Sequence, residues 1–203
     1  GVLLEPATVV TKAWEHILAV GGRAFWEPKT VLVTGAGPIG LLAALGAAQR
    51  GAEVHVLART TSGPKPELVR ALGATYHSGS VTDIGFEPDV IMECTGVGQV
   101  ISESIAVIGA GGVVCLTGVG HGGMVPKIPT ATMASSVVLK NNVVFGSVNA
   151  NKRHWYKAAQ ALARADRSWL ARLITKRERP ENFAQALARN SEDIKVVLQF
   201  AEV

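Results

Sequence analysis

Between residues 7 and 20, apolar side chains recur at Val10, Ala13, Trp14, Ile17 and Leu18. Steps of three and four predict a helix with one buried face, and Gly21-Gly22 supplies its stop. Residues 23–29, with Trp26 and Pro28, read as a loop. The period then changes. Thr30-Val31-Leu32-Val33 is a short, continuous apolar run of strand type, and a glycine-rich turn follows it. Residues 39–50 are rich in Leu and Ala and end at Arg50-Gly51, which predicts a helix with its stop signal. The alternation continues: a strand over 53–57, a helix over 66–72, a strand over 74–77, a strand over 89–93, a helix over 99–108 and a strand over 112–116. Val137–Leu139 and Val143–Phe145 read as further strands. Such a rhythm predicts βαβ units around a parallel sheet. Strands covered on both faces should be apolar throughout, as Val31-Leu32-Val33 and Val113-Val114-Cys115-Leu116 are.

After Asn151 the texture shifts. Helices are expected over 152–165 and 168–174 and around Phe183–Leu187, then a last strand over 194–200. This tail breaks the rhythm and is expected to pack against something else. The start also stands out: Gly1 is not an initiator Met, and Val2-Leu3-Leu4 reads as a strand-like opening with no lead-in, as if cut through a fold. The expected class is α/β: a Rossmann doubly wound parallel sheet with helices on both faces, plus terminal segments of a truncated second domain. The expected divisions are 1–10, 11–150 and 151–203.

Composition narrows the picture. With 203 residues and 48% hydrophobic positions there is ample core material. Charged residues are 18%, below the roughly 25% of ordinary soluble chains, which suggests surface meant to be covered. Two cysteines exclude a disulfide scaffold and a four-cysteine zinc site. The net charge of +4 is diluted along the chain, densest from Arg164 to Arg179. Without a recognisable module or interleaved aromatics, that stretch reads as solvated helix faces and not as a nucleic-acid surface. No apolar run reaches about 18 residues, so no membrane span is expected, and no signal peptide is visible. A cytoplasmic protein is the expectation.

The sharpest chemical signal is Gly35-x-Gly37-x-x-Gly40. Such a hexapeptide is weak alone and strong between a strand and an apolar helix. Gly35 permits the tight turn, Gly37 lets a pyrophosphate approach backbone, and Gly40 allows close helix packing. The free N–H groups and dipole of the next helix then face the phosphates. Pro38 suits the first helical turn. An acid is expected about 20 residues on to hold the ribose hydroxyls. The second strand instead ends Val56-Leu57-Ala58-Arg59-Thr60; Glu53 lies at its wrong end. Arg59, with Thr60, Thr61, Ser62 and Lys65 nearby, suits a 2′-phosphate, which predicts a preference for NADP over NAD. Other strand ends carry Thr95-Gly96-Val97, Thr117-Gly118-Val119 and Ser147-Val148-Asn149, where ligands of doubly wound sheets sit.

No catalytic constellation is visible. None of the five histidines is spaced with another His or a Cys as a ligand pair. His121, in a glycine-rich loop, is the one expected near the cofactor. His55 reads as core or sheet face, and Cys94 and Cys115 as small buried hydrophobes.

VLLEPATVVTKAWEHI, VLVTGAGPIGLLAALGAAQRGAEVHVL, GPKPELVRALGATY, DVIMECTGVG and NNVVFGSVNANKRHW together resemble the zinc-containing medium-chain dehydrogenases, in their glucose 1-dehydrogenase-like branch. The resemblance covers essentially the whole chain, but only the later part of such enzymes. It implies a cofactor domain between segments of a catalytic domain, with 151–203 returning to it. Glu5 matches the acid that reaches the catalytic zinc. Gly35, Gly37, Pro38, Ile39 and Gly40 match the phosphate turn, and Arg59 matches the 2′-phosphate position. Thr95, Thr117, Val119, Val148 and Asn149 match cofactor-lining positions, with Asn149 beside the nicotinamide and the sugar. The implied reaction is hydride transfer from a sugar or polyol hydroxyl to NADP (NAD possible). Zinc would act in the full-length protein, a homo-oligomer is expected, and this segment alone would be inactive. A stand-alone dinucleotide-binding or sensing module without catalysis fits the glycine turn equally well.

Overall fold

The computed structural model describes residues 1–120, 130–188 and 190–201. Its chain order opens with α1 (Leu4–Gly21), β1 (Thr30–Thr34), α2 (Pro38–Ala48), β2 (Glu53–Leu57), α3 (Pro64–Ala71) and β3 (Thr75–His77). Then come β4 (Val90–Glu93), α4 (Gly98–Val107), β5 (Val113–Leu116), α5 (Thr130–Leu139) and β6 (Val143–Gly146). The remainder is α6 (Lys152–Arg164), α7 (Arg167–Arg172), β7 (Ile174–Glu178), α8 (Phe183–Leu187) and β8 (Lys195–Leu198).

Six strands form one parallel sheet in the order β3-β2-β1-β4-β5-β6. The order reverses between β1 and β4, which is where a doubly wound sheet binds its ligand. Successive residues of each strand enter opposite layers. Val31, Val33, Val54, Val56, Val90, Met92, Val113 and Cys115 face α1, α2, α3, α6 and α7. Leu32, Leu57, Ile91 and Val114 face the other layer, with Val81 and Ile108. That is why these strands lack a polar alternation.

Three local expectations are corrected. The opening is not strand-like: the chain is helical from Leu4, with Pro6 in the first turn, where its missing N–H costs nothing. Val137–Leu139 lies in α5 and not in a strand; a three-residue apolar run has no period of its own. Ile174, expected to close a helix, instead starts β7, a largely polar strand.

The tail is also more regular than expected. Strands β7 and β8 pair in parallel across α8, with a register irregularity between Ile174 and Lys176. This is a small βαβ unit of its own. Nor does the tail leave the main body. Ala158, Trp169, Leu173 and Ile194 share the buried cluster of α1 and α2, and Trp169 Nε1 donates to Leu68 O at 2.8 Å. α1 runs unbroken across residue 10 and packs on α2 and α6.

Candidate dinucleotide site

The carboxyl ends of β1, β2, β4, β5 and β6 converge on the turns singled out by sequence. At β1, Gly35 has φ +95, a conformation side chains rarely adopt, and its N–H donates to Leu57 O at 2.7 Å. A Cβ on Gly40 would lie 1.8 Å from Gly35 O, so that residue must be glycine for the helix to dock. A Cβ on Gly37 would meet nothing within 4 Å. The first and third glycines of the motif therefore serve the protein's own packing, and the second faces open space. Pro38 and Ile39 begin α2, whose Gly37 N-cap provides no side-chain hydrogen bond. The N–H groups of the first turn are left for a ligand.

Beyond β2, Arg59 is exposed and forms no ion pair among the described residues. Thr60 is tied down by Tyr76, whose hydroxyl donates to Thr60 O at 2.5 Å and lies 3.0 Å from Thr60 Oγ1. Lys65 donates to Ser191 O. Its pKa is lowered, chiefly by burial, with Asp193 opposing the shift, Arg59 adding to it and Glu192 opposing it. The loop after β2 thus holds its backbone still while leaving one guanidinium free.

The loops after β4 and β5 are built differently. Glu93, the last residue of β4, is fully buried. It accepts from Thr95 N at 2.7 Å, from the Thr95 hydroxyl, from Gly96 N at 3.1 Å and from Thr34 Oγ1 at 3.4 Å. Sequence reasoning passed this residue over. The available signal was a carboxylate ending an otherwise apolar strand, where an acid is almost never fully buried unless paired. The Thr117 hydroxyl donates to Glu93 O at 2.9 Å, and the Thr95 hydroxyl accepts from Val97 N at 3.0 Å. Both hydroxyls are committed inside the protein. A Cβ on Gly118 would come within 2.1 Å of Gly96 N, and one on Gly96 within 2.6 Å of Gly120 N, so the two loops lie backbone against backbone. Val119 and Val148 remain exposed at 73% and 60%, apolar surface at the rim of the ligand end.

Asn149 is exposed and has φ +59, one of two described non-glycine residues with positive φ. Its loop is pinned on both sides. Lys12 Nζ donates to Val148 O at 2.7 Å. Asn151 caps α6 by accepting from Arg153 N at 3.2 Å, while His154 Nδ1 accepts from Asn151 N at 3.1 Å.

Glu5 lies exposed in the first turn of α1, its carboxylate without a hydrogen bond or ion pair among the described residues. No cluster of three or more potential metal-ligating His, Cys, Asp or Glu occurs among the described residues. Glu5 could offer one ligand; the others would come from outside these residues. His121 lies outside the described residues. Burial pushes the thiols of Cys94 and Cys115 up to about 12, which fits unreactive packing roles. Though no histidines are spaced along the chain as a ligand pair, His55 Nδ1 and His77 Nε2 lie 2.9 Å apart, with the tilted Phe86 ring 4.2 Å from that of His55. Neighbouring strands β2 and β3 bring them together, a juxtaposition that no linear spacing reveals.

Sheet order, switch point and glycine turn together define a doubly wound parallel α/β domain of the Rossmann class. A family model described as "Glucose dehydrogenase C-terminus" matches residues 1–200, and the chain belongs to that family. Glucose 1-dehydrogenase 2 of Vulcanisaeta moutnovskia is 39% identical, covering 99% of this chain and 59% of its own length. Glucose 1-dehydrogenase of Methanocella arvoryzae is 33% identical, covering 98% of this chain and 58% of its own length. A solved structure of Haloferax mediterranei glucose dehydrogenase in complex with NADP, Zn and gluconolactone superposes with a TM-score of 0.90. It is 26% identical and covers 100% of this chain and 59% of that one. The chain thus spans somewhat under two thirds of the relatives it matches. No helix among the described residues is long and apolar enough to cross a membrane.

Proposed function

We propose that this chain is the cofactor-binding part of a zinc-dependent dehydrogenase that prefers NADP and oxidises a hydroxyl of glucose or a related sugar. One observation carries the reading. Arg59 stands free at the end of β2, where NAD enzymes place an acid, beside a glycine turn at the switch point. The Haloferax mediterranei relative, whose structure is in complex with NADP, Zn and gluconolactone, supports the same cofactor and substrate class.

In this reading the first-turn N–H groups of α2 hold the pyrophosphate, and Gly37 leaves room for it. Arg59 takes the 2′-phosphate, with Thr60 fixing the backbone beneath it. Gly96, Gly118, Thr95 and Thr117 line the cofactor through backbone and methyl groups, because the two hydroxyls are already committed. Val119 and Val148 give the nicotinamide end an apolar cover. Asn149 orients the nicotinamide and sugar through its side-chain amide. Glu5 contributes one ligand to zinc, which when bound supplies a Lewis acid for the substrate hydroxyl. Residues 1–10 and 151–203 belong with the catalytic part, and 11–150 form the cofactor domain. A cytoplasmic setting and a homo-oligomer complete the proposal; β6 is an edge strand able to pair.

Titration of the full-length polypeptide with both cofactors tests the central claim. NADP should bind more tightly, and tighter NAD binding would overturn the preference. Glucose oxidation with and without a chelator tests the metal; full activity after zinc removal would overturn its role. A full-length protein that binds NADP yet oxidises no sugar would favour the module without catalysis.

A further inference from the structure

At the far end of α2 from the phosphate turn, α1, α2 and α6 enclose a cavity of about 310 Å³. That lies within the usual range for small-molecule sites, about 300–1,000 Å³. Its walls are apolar: Ala7, Val10, Trp14, Leu42 and Leu45. Its mouth is basic. Arg50 and Arg164 line it, and neither forms an ion pair among the described residues. The Arg50 guanidinium lies over the Trp14 ring, 4.8 Å from its centroid, and donates to Gly46 O at 2.6 Å. Burial first, and Arg164 second, lower its pKa. Arg50 is thus a partly desolvated cation held by a ring face and one carbonyl, with the exposed Arg164 lining the same mouth, and a carboxylate there would give it the ionic partner that such a charge normally has.

The acid at this mouth does not complete it. Glu15 also lines the cavity, but it is already engaged by Lys157 Nζ at 2.5 Å and by Arg153. His154 Nε2 lies 3.5 Å from the same carboxylate. The surplus of positive charge therefore remains at Arg50 and Arg164.

We propose that this cavity binds a small organic anion with an apolar tail, of the fatty-carboxylate type, its tail against Trp14, Leu42 and Leu45 and its carboxylate on Arg50 and Arg164. A planar guanidinium matches a carboxylate in two hydrogen bonds, and the hollow behind it suits hydrocarbon. The site is separate from the dinucleotide site. Gly46 stands roughly 12 Å along α2 from Pro38, at about 1.5 Å per residue, and Gln49 and Arg50 follow the helix's last residue. It does not depend on the proposed dehydrogenase reading.

Octanoate is the probe, added to the full-length polypeptide and followed by calorimetry and by the Trp14 indole N–H resonance. Saturable binding with a Kd of about 1 mM or tighter is expected, with the Trp14 resonance shifting. Arg50→Gln should weaken binding about tenfold, with its denaturation curve recorded alongside to show that it is folded. Ala161→Phe should fill the hollow and abolish binding; if that variant does not fold, Arg50→Gln carries the test. 1-Octanol, with the tail and no charge, and inorganic phosphate, with charge and no tail, should each bind far more weakly. The proposal is overturned if octanoate does not saturate, if 1-octanol binds as tightly, or if Arg50→Gln leaves the affinity unchanged.

Discussion

The loop after β2 and the loop after β4 leave the same end of the same sheet, yet they treat their polar groups in opposite ways. After β4, Glu93 gathers Thr34, Thr95 and Gly96 into one buried network, and the Thr117 hydroxyl turns back onto the strand. After β2, Tyr76 fixes Thr60 and leaves Arg59 exposed, without an ion pair among the described residues. The first loop makes a surface of backbone and methyl groups, which can lie along a cofactor without choosing among cofactors. The second keeps a charge in reserve, which can discriminate. A network satisfied internally sets shape, whereas a charge left unsatisfied sets ligand preference, because only the latter gains a partner on binding.

The phosphate turn contains this contrast in miniature, and there its disruption should have the largest effect. Gly40→Ala is expected to cost about 3 kcal/mol or more, since the clash is with backbone that cannot rotate away. Gly37→Ala, placed in open space, should unfold at nearly the wild-type urea concentration but bind cofactor at least about tenfold more weakly. Equal losses of stability in both variants would break the distinction. Glu93→Ala should cost roughly 2–3 kcal/mol in chemical denaturation, since it strands several buried donors. A loss below about 0.5 kcal/mol would show that water replaces the carboxylate easily.

Arg59→Gln sharpens the comparison from the other loop. Its denaturation curve should stay within about 0.5 kcal/mol of wild type, as for an exposed residue. Its NADP affinity should fall about 10- to 100-fold, with NAD binding unchanged. Equal loss for both cofactors would remove Arg59 from the discriminating role. The smallest effect concerns β3, beside the discriminating loop. Burial, and then His55, lower the pKa of His77 below its ordinary 6.5. The folded state therefore takes up a proton there less readily than the unfolded chain. Neutral His77 contributes its full stability above pH 6.5 and loses it as pH falls from there through the lowered value. His77→Asn should flatten stability against pH in that window, and an unchanged slope would place the titration elsewhere.

Much of the sheet was readable along the chain. The residues of β2 were delimited as found, and β1, β4, β5 and α2 to within about two, because a strand buried on both faces must be apolar without interruption. The failures share a cause. Val137–Leu139 and Ile174 sit in runs too short to carry a period, and β7 is polar enough to resemble loop. Cofactor-site candidates at the strand ends were legible from topology alone. What each does there was not. Thr95 and Thr117 looked like hydroxyls available to a ligand, and only their distances to Glu93 reveal that they are engaged.

The sequence by itself determined the class of fold and marked the candidate ligand end of the sheet. An uninterrupted apolar strand, a glycine turn and a basic residue in place of an acid are local features, and local sterics and charge suffice to interpret them. The tertiary structure alone decided which polar groups are free. Glu93 against Thr95, His55 against His77, and Arg50 beside Arg164 over a hollow are encounters between residues brought together by parallel pairing and helix packing. Satisfaction of a hydrogen bond or a charge depends on distance in space, and distance along the chain does not encode it.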